Sequence, residues 1–215
     1  MLSFSGIILF IISFYAATIF LRLFAKSRRI FHFCLGTTAV FVAIIGISEH
    51  LAFFFPILNP EFLFEWSRVF AVSFLLSATA ALIRDSKPEI TRFPRFFTFI
   101  PLLLITVYPL IFETVILKMW VINLYQGSAL FISLLIYSYK SHQDTDYGYM
   151  LVGVFFFFIT FALFNLPDFL MTLPDYVWVL LTASGILIIT VGYGRIYQIG
   201  KDTIQNNENE QSWFV

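Results

Sequence analysis

The sequence has few charged residues, one cysteine and three histidines. Charged residues make up 12% of the chain, whereas about 25% is typical of a soluble domain. So few charges could not cover a folded surface in water, which excludes a soluble globular enzyme and a disordered chain. The 13 basic and 13 acidic residues leave no net positive charge to attract nucleic acid. One cysteine cannot build a disulfide framework or a cysteine-based metal site.

Long apolar runs dominate the sequence, since 60% of its residues are hydrophobic and the mean hydropathy is +0.88. A helix needs about 20 mostly apolar residues to cross a bilayer. Seven runs reach that length, which predicts an all-α membrane protein folded as a seven-transmembrane helix bundle with short connections. The predicted spans are Ser3–Arg22, Ile30–Phe54, Phe64–Ile83, Phe96–Ile116, Met119–Tyr139, Tyr147–Leu166 and Tyr176–Tyr197.

Basic residues collect on one side of the predicted bundle. Of the 13 Lys and Arg residues, Arg68 and Lys118 fall on the side of the even-numbered connections, which leaves eleven on the other side. Lys and Arg are retained on the cytoplasmic side, so the N-terminus is expected outside and the C-terminus in the cytoplasm. The 29 Phe residues and the Asn-rich end suit an AT-rich bacterial genome. A bacterial inner (cytoplasmic) membrane is therefore the expected location.

This layout predicts two regions: a seven-helix transmembrane domain at residues 1–198 and a short cytoplasmic tail at residues 199–215. Most of the tail is polar and is expected to be solvated and flexible. It ends in three apolar residues, Trp213, Phe214 and Val215. Apolar residues on a polar tether are unfavourable in water. We therefore expect them to dock, either at the membrane interface or in a groove of a partner protein.

Small residues recur at helical spacing in the second and third predicted spans. In the second span they lie on one helix face with a histidine at each end, namely His32, Gly36, Ala39, Ala43, Gly46 and His50. The third span repeats the pattern at Ser73, Ser77 and Ala81. Both patterns indicate packing surfaces inside the bundle. His32 and His50 cannot bind one ligand together, because the helix places them about 27 Å apart.

The fifth predicted span carries polar residues on one face, at Asn123, Gln126, Ser133 and Tyr137. Amide side chains are unfavourable in hydrocarbon without partners, so this polar row is expected to face inward. Two interpretations stay open. The row could form hydrogen bonds between helices, or it could line a ligand cavity.

Ionisable groups collect in the predicted outer half of the bundle, where Glu65 and Arg68 are spaced to form an ion pair. Near helix ends such groups can form a simple solvated rim. Alternatively, they form an outer cleft for a partner, a small ligand, a cation or a basic peptide, with Asn123 and Gln126 extending it inward. The candidate residues of this outer cleft are Glu49, His50, Glu65, Arg68, Glu113, Asn123, Gln126 and Asp168.

Known catalytic patterns are missing from the sequence. The last predicted span has no lysine, which excludes a retinal Schiff base. Of the three histidines, His32 and His142 are predicted on the cytoplasmic side of the membrane and His50 on the outer side. Neither side can therefore supply three nitrogen ligands to a zinc centre. Ser48, Glu49 and His50 are adjacent and point in different directions on a helix, which opposes a catalytic triad. We expect no cofactor, no metal and no catalysis.

The run from Trp66 through Ala80 to the basic turn after Ile83, together with the length and topology of the chain, resembles the seven-transmembrane input modules of bacterial sensor histidine kinases and cyclases. The resemblance implies a sensor that begins outside, ends inside and passes its signal through the last helix. This chain departs from those proteins because no kinase, cyclase or coiled-coil output follows that helix. A signal would therefore pass to a separate protein.

Together these patterns predict a non-catalytic polytopic membrane protein that acts as a sensor-like or accessory subunit of a larger membrane complex. Its expected partners are membrane lipids and other membrane protein subunits, without nucleic acid. An inner basic face, formed by Arg22, Lys26, Arg28 and Arg29, is expected to bind anionic lipid or a partner. Two alternatives stay open: a small transporter or permease subunit with a continuous polar path, and a lipid-directed enzyme that uses Glu49 and His50.

Overall fold

The structure, a computed structural model, is almost entirely helical over the residues that it describes. These are residues 4–55, 59–86, 94–103, 105, 115–165 and 176–211, with side chains for all except residues 49, 52, 115–118 and 195–211. The long helices are α1 (Phe4–Ser27), α2 (Ile30–Phe54), α3 (Pro60–Ser86), α4 (Val115–Gln143), α5 (Gly148–Asn165) and α6 (Tyr176–Gln211). Short 3-10 helices occupy Arg95–Phe99 and Thr145–Tyr147.

Each of the six long helices contains a segment long and apolar enough to cross a membrane. This finding confirms the predicted class, an all-α multi-pass membrane protein. Most of the fourth predicted span, Phe96–Ile116, lies outside the described residues. Its beginning is 3-10 helical to Phe99 and α-helical at residues 100–103. The seventh span and the orientation of the termini therefore stay predictions.

The observed helix bounds follow the apolar runs, with one clear exception. α2 begins and ends at the predicted residues, Ile30 and Phe54. α6 instead continues from its predicted end at Tyr197 to Gln211, so most of the tail that was expected to be flexible is helical. A helix that is already nucleated gains one backbone hydrogen bond with each further residue. No proline lies between Tyr197 and Gln211 to stop it.

The start of α3 is fixed by a side-chain cap. The Oδ1 atom of Asn59 accepts hydrogen bonds from the backbone N–H groups of Glu61 at 3.0 Å and Phe62 at 3.3 Å. Asn is among the preferred residues at this position, because it satisfies N–H groups that have no partner within the helix. Pro60 follows at the first helical position, where its missing N–H costs nothing.

α1 and α2 are joined by a turn of two residues, Arg28 and Arg29. Arg28 adopts the left-handed conformation with φ of 55°, and the hydroxyl of Ser27 accepts a hydrogen bond from the backbone N–H of Arg29 at 3.4 Å. All four residues of the predicted inner basic face are exposed around this turn. The α1–α2 turn therefore presents a cluster of cations at one end of the bundle.

Neighbouring helices in the chain pack against one another, and α6 returns to pack against α1. The described helices thus form a closed ring around a buried interior that contains Leu9, Leu75 and Val154. Large apolar side chains also cover the outside of the ring, as Phe14 and Leu124 illustrate with 56% and 74% exposure. An apolar outer surface is what a bundle surrounded by lipid requires.

α1 and α2 approach closely at the small residues of α2. A Cβ atom on Gly46 would lie 2.7 Å from the backbone oxygen of Gly6 and 2.9 Å from the backbone nitrogen of Phe10. A Cβ atom on Gly36 would lie 2.9 Å from the side chain of Leu21. The structure therefore confirms that this face of α2 is a packing surface, and it identifies α1 as the neighbour.

A second close approach, between α5 and α6, was not predicted from the sequence. A Cβ atom on Gly153 would lie 2.8 Å from the backbone oxygen of Gly185, and one on Gly185 would lie 2.9 Å from that of Gly153. The two glycines belong to different helices, so the spacing within either helix does not reveal that they meet. Backbones in contact without side chains between them gain van der Waals packing, which stabilises helices in lipid.

We predict that Gly46→Ala destabilises the bundle by about 1–3 kcal/mol, because the added methyl group meets backbone atoms of α1 that cannot turn aside. Gly194→Ala is the matched control, since nothing lies within 4 Å of its Cβ position and alanine is the better helix former. Thermal unfolding of the purified proteins in detergent measures both effects. A melting temperature of Gly46→Ala equal to or above that of Gly194→Ala would contradict the prediction.

Candidate functional site

A cavity of about 70 Å³ lies between α2, α3, α4, α5 and α6. It is formed by the first half of α3 and the last half of α5, and so lies toward the end of the bundle away from the α1–α2 turn. A single buried water molecule needs roughly 10–15 Å³ of such space. The cavity therefore has room for several water molecules or for a narrow part of a ligand.

Aromatic side chains form much of the cavity wall. The ring of Phe64 on α3 lies 5.6 Å from the ring of Phe164 on α5 and 5.7 Å from that of Trp178 on α6. Phe157 and Phe161 continue this wall along α5. Surroundings of this kind have a low dielectric constant, which strengthens any hydrogen bond made inside and penalises any polar group left without one.

Gln126 of α4 is fully buried and lines the cavity. Its Oε1 and Nε2 atoms have no hydrogen-bond partner among the described residues. A buried polar group without a partner costs about 1–3 kcal/mol. Gln126 therefore lines a cavity and forms no hydrogen bond between helices within the described structure.

Arg68 of α3 is the one charged residue in the described lining of the cavity. Its Nε and Nη1 atoms are buried without a hydrogen-bond partner in the described structure, and its Cζ atom lies 4.4 Å from the ring centroid of Phe164. This cation–π contact offsets part of the lost hydration. Glu65 is exposed instead, and no ion pair joins it to Arg68. The ion pair that their spacing allows is therefore not formed: Arg68 lines the cavity, whereas Glu65 remains exposed.

Other polar side chains of α3 and α4 bind each other. The hydroxyl groups of Thr79 and Ser133 are 3.2 Å apart, and those of Tyr125 and Ser73 are 3.1 Å apart. For Ser133, the hydrogen-bonding interpretation of the polar row is thus correct. The small residues of α3 are buried in the same region, as predicted, at Ser73, Ser77 and Ala81.

His32 is fully buried near the α1–α2 turn, where it links three helices. Its Nδ1 atom hydrogen-bonds the hydroxyl of Ser27 at 2.6 Å, and its Nε2 atom hydrogen-bonds the hydroxyl of Tyr193. Ser27 already donates its proton to the carbonyl oxygen of Leu23 at 2.8 Å, so the network assigns a proton to Nδ1. His32 therefore connects α6 to the α1–α2 turn.

The other candidate residues of the outer cleft are not brought to the cavity. Asn123 and His50 are partly buried and do not line it, and both ring nitrogens of His50 lack a partner within the described ranges. Among the residues that the structure describes, no cluster of His, Cys, Asp or Glu could hold a metal ion. Several candidates lie outside the described residues, namely the side chain of Glu49, and Glu113, Asp168, Trp213, Phe214 and Val215.

Three threonines that line the cavity were missed in the sequence, namely Thr38, Thr160 and Thr182. Thr160 on α5 and Thr182 on α6 have their hydroxyl groups 3.5 Å apart, and both line the cavity. Thr160 is the one polar residue between Met150 and Phe164, and this isolation is the signal that could have identified it. The aromatic residues of α5 gave no such signal, because phenylalanine is abundant throughout the chain.

We predict that Gln126→Leu raises the melting temperature of the ligand-free protein, because it replaces two buried polar atoms that lack partners with apolar ones. The expected gain is about 1–3 kcal/mol. The comparison is Ser133→Ala on the same helix, which breaks the contact with Thr79 and should lower stability by about 0.5–1.5 kcal/mol. Thermal unfolding in detergent measures both, and a loss of stability in Gln126→Leu would show that this amide is satisfied after all.

Comparison with protein-family models, with curated proteins and with solved structures found no match to this chain. The cavity and the polar groups around it are therefore the features on which a function can be proposed.

Proposed function

We infer that this chain is a non-catalytic, sensor-like subunit of a larger complex in a bacterial inner membrane. In this proposal it has seven spans, with its N-terminus outside and its C-terminus in the cytoplasm. The observation that carries the proposal is that α6 forms one wall of the cavity and continues as a helix well beyond its apolar span. A change at the cavity would thereby reach the other end of the bundle.

α6 is longer than a membrane crossing requires. Its 36 residues correspond to about 54 Å, whereas the hydrocarbon core of a bilayer is about 30 Å thick. The apolar span ends at Gly194, and the helix continues to Gln211. A continuous helix can carry a small displacement from one end to the other, as in other conformational switches built on shifting helices.

Both ends of the apolar part of α6 contact other helices. At one end Trp178 and Thr182 line the cavity. At the other end Tyr193 hydrogen-bonds His32, which holds α6 to the α1–α2 turn and its exposed cations. A ligand shifts such an arrangement only if it binds one position of α6 better than another. The surface offered to a partner at the turn would then change with it.

The lining of the cavity favours binding over turnover. Within the described lining there is no carboxylate, imidazole or thiol, the groups that most often act as acids, bases or nucleophiles. A transporter would need polar groups that continue through the bundle. On α4, however, the buried Leu130 stands between Gln126 and Ser133. The lining therefore supports a sensor better than a transporter or a lipid-directed enzyme.

We predict that the chain, tagged at its N-terminus and expressed at its native level, purifies in mild detergent with one membrane protein at a near-unit ratio. Deletion of residues 211–215 should remove that partner, because the apolar end of the chain and the extended α6 are the proposed route of contact. Mass spectrometry of the purified material identifies the partner and its ratio to the chain.

The matched control for this deletion is the replacement of Trp213, Phe214 and Val215 by serine, which keeps the length of the chain. Loss of the partner in both variants would assign the contact to these side chains. A chain that purifies as a monomer or homodimer without a partner would contradict the proposed function.

The proposed topology is tested by single cysteines in a Cys34→Ser background. An impermeant maleimide should label Glu61→Cys in intact cells, and Arg28→Cys only after the membrane is opened, because positive residues stay inside. Gln205→Cys should behave like Arg28→Cys if the chain crosses the membrane seven times. Labelling of Gln205→Cys in intact cells would show an even number of spans and contradict the seven-span topology.

A further inference from the structure

The cavity contains a positive charge, that of Arg68, which forms no ion pair with a described residue; Glu65 on the same helix is exposed and lies outside the cavity lining. Arg68 brings a guanidinium group into an aromatic wall, and no Asp or Glu belongs to the described lining. A cation taken out of water without a counter-ion is unfavourable, and one cation–π contact repays only part of the cost. An anion bound in the cavity would remove this imbalance.

The unused donors of Arg68 have the geometry of a carboxylate site. Its Nε and Nη1 atoms are both buried without an acceptor, and each of them shares one edge of the planar guanidinium group with Nη2. Either edge, Nε with Nη2 or Nη1 with Nη2, matches the two oxygens of a carboxylate, which form parallel hydrogen bonds with it. Gln126 offers a further unused donor, Nε2, in the same cavity.

The rest of the cavity suits an apolar group. Beyond Arg68 and Gln126 its walls are mostly aromatic and aliphatic, with Phe157, Phe161 and Leu130 among them. Ligand pockets of this composition bind molecules whose body is apolar and whose few polar atoms meet placed partners. The volume of about 70 Å³ encloses only the first part of a slender chain, and a longer chain would leave through the open side of the cavity.

We propose that the cavity binds a carboxylate amphiphile, with the carboxylate on Arg68 and Gln126 and its apolar chain along the phenylalanines of α5. The proposal rests on the proposed function, since this cavity is the input site of the sensor. A phosphate dianion is disfavoured, because Arg68 is the one charged residue of the described lining and the second negative charge would be buried without a cationic partner. A cation or a basic peptide, which the acidic residues of the outer half suggested, would be repelled by Arg68.

The first experiment measures equilibrium binding of radiolabelled decanoate to the purified full-length chain in a neutral detergent. We expect saturable binding of one decanoate per chain, with competition by unlabelled decanoate. Methyl decanoate should compete at least about tenfold more weakly, since the ester has no charge to pair with Arg68. This comparison uses the wild-type protein and does not depend on the folding of any variant.

Two pairs of variants then assign the site. Arg68→Gln should weaken decanoate binding by about tenfold or more, whereas Arg84→Gln, on the same helix but outside the cavity, should leave it within about twofold. Gln126→Leu should also weaken binding although the substitution stabilises the ligand-free protein, and Asn123→Leu, outside the cavity lining, should not. Equal affinity for decanoate and its methyl ester, or unchanged binding by Arg68→Gln, would overturn the proposal, as would an absence of saturable binding.

Binding measured along a series from hexanoate to dodecanoate distinguishes two possible sources of the carboxylate ligand, the membrane and the aqueous phase. Affinity that rises with chain length indicates a membrane-derived fatty acid, because each buried methylene contributes about 0.8 kcal/mol. Equal affinity along the series indicates a small carboxylate from the aqueous phase. Failure of carboxylate binding in a chain that still retains its partner would reject this ligand class alone. Carboxylate binding in a chain without a partner would reject the proposed function and leave the site in place.

Discussion

Helices surrounded by lipid gain little from burying apolar surface against each other, so close packing and hydrogen bonds between helices hold them together. In this bundle glycines allow backbones to approach closely, Gly46 against Gly6 in α1 and α2 and Gly153 against Gly185 in α5 and α6. The cavity is lined instead by large side chains, among them Phe64 and Phe164.

Stability and binding make opposite demands on the cavity. Gln126 and Arg68 would be better placed in water or replaced by leucine if stability alone mattered, since neither has a hydrogen-bond partner for its buried donors in the described structure. Natural proteins retain such unfavourable groups where they serve a site. Thr79 and Ser133, a short distance away, show the alternative, in which buried hydroxyl groups satisfy each other and contribute to packing.

Much of the fold could be predicted from the sequence, because a run of apolar residues in a membrane can only be helical. The bounds of α2 and the inward direction of Gln126 follow from that rule and from helical periodicity. The site could be predicted only in part. Spacing places Glu65 and Arg68 near each other on α3, but it does not determine that Arg68 turns inward while Glu65 remains exposed. The residues of α5 and α6 that surround Arg68 are determined by how the helices pack against each other. The sequence pattern of a single helix does not contain that information.

The two-residue turn between α1 and α2 has a consequence for how the cell meets this protein. Two helices joined so tightly cross the membrane and return, so α3 begins its crossing on the side from which α1 started. The cavity lies toward that side, whereas the exposed arginines of the turn lie on the other. Whichever way such a bundle inserts, the cavity therefore lies toward one side of the membrane and the cationic turn at the other.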